Sequence, residues 1–192
     1  VFLIIIGNIM TNPFSWIKAE SQKKTFIVFA ILAILMWLLL GYLGKPLITE
    51  DAKAGIISYE LVGDVERVET IFNTWSSKGK LLASFHIGLD YVFLLFYSFA
   101  IGLGCLLVAQ RYQFASSRFY EAGIIVVWLQ IIAAVFDGIE NSMLIYILLD
   151  RIEQLPVHVA KWSAIIKFAL VAIGLLYGAI GLIKTRTSKK AS

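Results

Sequence analysis

In "VVWLQIIAAVFDGIENSMLIYILLD", residues 126–150, the side chains of Asp137, Glu140 and Asn141 fall within about one helical turn of each other. Almost everything around them is apolar. In "LLASFHIGLDYVFLLFYSFAIGLG", His86 and Asp90 are spaced i and i+4, which puts them on one helical face, and Tyr97 lies seven residues further along it. Gln130 precedes Asp137 by two turns. Lys167 lies inside a fourth apolar stretch, with Lys161 nearer its edge. Carboxyls, an amide, a phenol, an imidazole and an ammonium in apolar surroundings can share protons or hold a cation. They could also ligate a metal. Charged groups at membrane depth cost at least about 2.5–3.5 kcal/mol on insertion scales and almost always face a protein interior, which makes them functional candidates by default.

For a metal, His86 with Asp90, Asp137 and Glu140 would be the candidate ligands for zinc or iron. One histidine is a thin set, and neither an HExxH nor a paired ExxH spacing occurs. Ser84 precedes His86 without forming a recognisable nucleophile–base pair. No Gly-rich phosphate loop, Walker pattern or haem-attachment motif is present. His158, at the outer start of the last stretch, reads as an interfacial residue. Arg118, Tyr120 and Glu121 read as headgroup and orientation anchors, and Trp162 could border a pocket around Lys167.

These residues must be positioned by elements that suit lipid. The 192 residues are 59% hydrophobic and only 16% charged, with a mean hydropathy of +0.83. A soluble domain covers itself with roughly a quarter charged residues, and this chain lacks them. Four apolar runs near 26–44, 81–109, 123–149 and 158–183 are long enough to cross a bilayer. Each must be helical, because lipid offers no partner to a free backbone group. The first run carries no ionisable side chain and reads as a packing or lipid-facing helix.

The net charge of +4 is spread in short flanks and is not a nucleic-acid footprint. Lys18, Lys23 and Lys24 precede the first run, Arg111 and Arg118 separate the second and third, and Lys184, Arg186, Lys189 and Lys190 follow the fourth. In the 45–80 loop, five basic residues are outnumbered by six acidic ones. The positive-inside rule then places both termini (segments 1–25 and 184–192) in the cytoplasm, with the 45–80 and 150–157 loops outside. The lone Cys105 permits no internal disulfide.

In the long loop, Leu61, Val65, Val68, Phe72 and Trp75 recur at steps of four and three, the pattern of an amphipathic helix. Asp64 is positioned to cap its start and Gly79 to stop it. Such a helix either rests on the membrane surface or closes the outer mouth of the bundle. Phe14 and Trp16 read as interfacial. The stretch before Met10 is too short to span, and reads as an upstream extension or an interfacial anchor. Gly174 and Gly178 form a GxxxG, which permits close helix approach within the chain or in a homodimer.

Antiparallel connectivity fixes depth. At ~1.5 Å per residue, Asp90 and Lys167 each lie roughly 13 Å in from the outer ends of their spans. Glu140 lies at a similar depth, Asp137 about one turn deeper and His86 about one turn shallower. All converge in the outer half.

"NTW", then "LDYVFLLFYSFAIGL", then "FDGIEN" together resemble a group of uncharacterised four-helix bacterial membrane proteins, from the second half of the outer loop through the third span. The resemblance implies a shared fold and a shared polar centre at Asp90, Tyr97, Asp137, Glu140 and Asn141. It brings no known chemistry.

The expectation is therefore an all-α, integral membrane, four-helix up-down bundle with an amphipathic helix in the outer loop, in a bacterial inner membrane. Its outer-half cavity would be lined by His86, Asp90, Tyr97, Asp137, Glu140, Asn141 and Lys167, and would bind or translocate a proton, cation or small amphiphile. The alternatives are a metal-dependent membrane enzyme using the same acids, and an accessory subunit in which the cluster only fixes helix packing.

Overall fold

A computed structural model of the chain describes residues 11–190, with side chains as far as Lys184. The expected upstream extension and most of the basic tail lie outside those side chains. The described residues are helical, without a strand. Helix α1 spans Ala19–Leu43, followed by a 3-10 turn at Lys45–Leu47. Then come α2 (Ile56–Glu60), α3 (Val65–Gln110), α4 (Ser117–Leu148) and α5 (Gln154–Lys190). The long helices α1, α3, α4 and α5 are each long and apolar enough to cross a membrane. Each overlaps one of the four apolar runs, and α3 begins well before its run, taking in the expected amphipathic segment of the 45–80 loop.

Local chemistry accounts for several boundaries. Asp64 caps α3 by accepting a hydrogen bond from the Arg67 backbone N–H at 2.8 Å, which satisfies one of the helix's free donors. Pro156 lies in the first turn of α5, where a missing N–H breaks no helical bond. The expected stop at Gly79 is replaced by a break at Ser76, whose φ of 56° and ψ of −177° leave helical space inside α3. Gly79 has a different task. A Cβ there would meet the Trp75 Cβ at 2.7 Å, so glycine makes room for the indole.

The chain divides into two compact units. The first is formed by the described residues within Val1–Leu32, Phe96–Ala133 and Ala169–Ser192. Its core gathers Phe14, Ile17, Leu103, Leu106, Ile124 and Val127. Phe14 is thus buried, not interfacial as expected, and packs edge-on to Phe99 at 5.2 Å, while Trp16 is exposed. Gly102 lets it in, since a Cβ there would sit 2.9 Å from the Phe14 ring. Gly174 serves the same purpose, packed against Gln130 and Ile101. The close approach it permits is therefore used within the chain, whereas Gly178 has open space beside it.

The second unit comprises Ala33–Leu95 and Ala134–Phe168. Val68, Ile71, Phe72 and Trp75 turn inward to join Leu47, Tyr59, Leu144, Ile147, Val157 and Ala160 in one core. The amphipathic segment is therefore packed on the other elements of its unit through its apolar face. Its hydrogen bonds hold it there: Trp75 Nε1 donates to the Leu47 carbonyl and the Tyr59 hydroxyl to that of Leu144, both at 2.8 Å. Leu61 departs from the expected row. It follows α2, outside the helix that carries the others, and is 39% exposed.

Candidate functional site

Lys167 organises the second unit's polar centre. It lies on α5, only 6% exposed, with nothing but protein to pair with its ammonium. Nζ donates to Asp137 Oδ1 at 2.9 Å and lies 2.8 Å from Glu140 Oε2 and 3.9 Å from Glu60 Oε2. It also stands 4.9 Å from the Phe168 ring centroid. Asp137 and Glu140 come from α4, one turn apart on its inward face, and Glu60 ends the five-residue α2. On the adjoining part of the unit, Asn141 Nδ2 donates to Asp90 Oδ2 at 2.9 Å, tying α3 to α4. Beside that pair, the Tyr91 and Ser142 hydroxyls share a hydrogen bond at 2.7 Å.

The charges of Glu60, Asp137, Glu140 and Asp90 all act on Lys167. Four carboxylates against one ammonium leave a net charge of −3 when every acid is ionised. Asp137, Glu140 and Lys167 are all buried, so water screens this charge poorly. Glu140 is the clearest symptom. It is 0% exposed, and among the described residues Oε1 has no hydrogen-bond donor, while Oε2 has the Lys167 ammonium beside it at 2.8 Å. Buried polar oxygens are otherwise nearly always satisfied. The Glu60 side chain also meets Glu140. Two ionised carboxylates have no hydrogen to share, so a hydrogen bond between them exists only when one carries a proton. Burial pushes the Glu60 carboxyl above the usual carboxylate range; the Lys167 charge opposes this and the Asp137 charge adds to it. Burial likewise pushes the Tyr59 phenol up, which keeps it a hydrogen-bond donor to Leu144.

Of the residues singled out from sequence, Asp90, Asp137, Glu140, Asn141 and Lys167 come together. His86 lies in the same unit but is directed elsewhere. Its Nε2 is 3.2 Å from the Leu40 carbonyl at the end of α1, and its Nδ1 is buried without a partner. Tyr97 is buried in the first unit. Trp162 is 60% exposed and His158 is exposed, hydrogen-bonded to Gln154. The proposed metal set of His86, Asp90, Asp137 and Glu140 is not brought together: among the described residues, no three His, Cys, Asp or Glu side chains form a group that could hold a metal ion.

Glu60 is the member that sequence reasoning missed. It was counted among the solvated loop acids, yet it is 8% exposed. The signal was the preceding "GIISY", in which Ile56 and Tyr59 recur at i and i+3 and both prove buried. An acid that follows such a pair is carried inward with it.

No family model, curated protein or solved structure matches this chain. The functional reading therefore rests on the site itself.

Proposed function

We propose that the chain is an integral membrane protein, an up-down bundle with cytoplasmic termini and an external 45–80 loop, that binds and passes protons at the Lys167 carboxylate centre. The observation that carries this reading is one buried ammonium within 4.0 Å of three carboxylates, one of which keeps an unpaired buried oxygen. The excess negative charge has to be neutralised. Lys167 already occupies the position a bound cation would take, 2.8–2.9 Å from two of the acids. A proton needs no such room, because it becomes part of a carboxyl. This favours protons over the larger cations and amphiphiles also considered. The basic flanks at Lys18, Lys23, Lys24, Arg111, Arg118 and Lys184 support the orientation, since positive segments stay cytoplasmic.

A packing role alone explains the Asn141–Asp90 and Lys167–Asp137 bonds, which tie α4 to α3 and α5. It leaves the unpaired Glu140 oxygen without a purpose.

Infrared spectroscopy of the protein in lipid tests the proposal. The carbonyl stretch of protonated carboxyls should be present at neutral pH, disappear at higher pH, and lose intensity in Glu140→Gln. If no protonated carboxyl is found at neutral pH, the cluster is not a proton store and the reading fails.

A further inference from the structure

We infer that Glu60 is the residue through which this centre exchanges protons with the outer solution, a role that rests on the proton-binding reading above. Tyr59 and Glu60 are buried, with Glu60 reaching Lys167 and Glu140. Ser58 and the residues just after α2 (Leu61, Val62 and Gly63), with Asp51, Lys53 and Arg67, line a pocket of about 330 Å³. That volume holds several waters, since liquid water takes ~30 Å³ per molecule. Leu61, next to Glu60 in the chain, and Ser58, two residues before it, both line the pocket, while the Glu60 side chain turns to Lys167 and Glu140.

The groups facing Glu60 are Lys167 from α5 and Asp137 and Glu140 from α4, and its charge is also felt by Asp90 of α3. Among the three acids on Lys167, Glu60 has the longest ion-pair distance, 3.9 Å, and the most exposed side chain, at 11%. By side-chain exposure it is the one of the three that water reaches most.

The relay balances as follows. A hydronium ion in the pocket gives its proton to the Glu60 carboxylate and becomes water. The protonated Glu60 donates a hydrogen bond to Glu140, whose carboxylate takes the proton and leaves Glu60 ionised again. Lys167 keeps its charge throughout. The Glu140 oxygen that lacks a donor is the acceptor this step requires.

The test is a pH-jump infrared measurement on the full chain in lipid, following the rate at which the protonated-carboxyl band reaches its new level. Glu60→Gln should slow that rate by about a hundredfold, the lower end of what a positioned proton-transfer side chain contributes. Glu60→Asp, which keeps a titratable group, should restore part of it. Ser58→Trp, which fills the pocket and leaves Glu60 in place, should slow it as well and decides the matter if Glu60→Gln does not fold. A wild-type rate in either Glu60→Gln or Ser58→Trp overturns the relay while leaving the proton store intact. A wild-type protein without any titrating carboxyl band overturns the store itself.

Discussion

The two units bury polar side chains in opposite ways. In the first, most such groups spend their hydrogen bonds on backbone carbonyls, and the buried Gln22 also accepts one from the neutral Gln110 amide. Gln130 donates to Leu170 at 3.0 Å, Cys105 to Gly174 at 3.3 Å, Tyr112 to Gly181 at 2.7 Å and Tyr177 to Phe119 at 3.0 Å. These contacts are neutral and local, and they serve packing in the way expected of polar groups between membrane helices. In the second unit, ionisable side chains bond to one another, and the sum of their charges does not cancel. Apolar helices tolerate either kind of polar burial. Only the second makes the structure answer to pH.

The largest break in that comparison should come from Lys167→Met. Removing the ammonium strands its carboxylates, and breaking a buried pair in this way costs about 3–5 kcal/mol. The loss should be greatest at high pH and shrink as the pH falls, because protonated acids no longer need a counter-charge. Thermal unfolding in detergent across pH measures both.

Glu60→Gln should have a smaller effect with a definite sign. The folded-state carboxyl titrates above its usual value of 4.5, so its contribution to stability is fully present below that pH. It is lost as the pH rises through the raised folded value. The variant should therefore lose less stability than wild type between mildly acidic and alkaline pH. Parallel curves would show that Glu60 is not coupled to the centre.

The smallest change is expected in the first unit. Gln130→Leu removes two neutral hydrogen bonds, a long one to Val126 within its own helix and one to Leu170, and also an acceptor, Oε1, that is buried without a partner. The net cost should be about 1 kcal/mol or less, the same at every pH. A pH-dependent loss there would erase the distinction between the units.

Much of this was legible in the sequence because bilayer physics is strict. Span length and apolar continuity located α1, α3, α4 and α5, and the depth of each ionisable residue then grouped Asp90, Asp137, Glu140, Asn141 and Lys167. The misreadings share one cause, which is that spacing along a helix does not say which neighbour stands opposite. His86 follows the four-residue spacing from Asp90, but about one turn away the neighbour is the end of α1, where the Leu40 carbonyl is available. The first apolar run, which has no ionisable side chain, reads only as a packing or lipid-facing helix, although the carbonyls at its end are polar. Glu60 was missed for the complementary reason. Depth was reckoned only for residues inside the spans, and a loop that folds inward has no depth on such a scale.

The break at Ser76 has a consequence in lengths. Uninterrupted, the 46 residues of α3 would form a rod of roughly 69 Å at ~1.5 Å per residue, more than twice the ~30 Å of a bilayer's hydrocarbon. Glu60 lies only five residues before the start of α3, a tether of at most ~18 Å even fully extended. The break at Ser76 thus falls between the long apolar part of α3 and the short tether that leads back to Glu60.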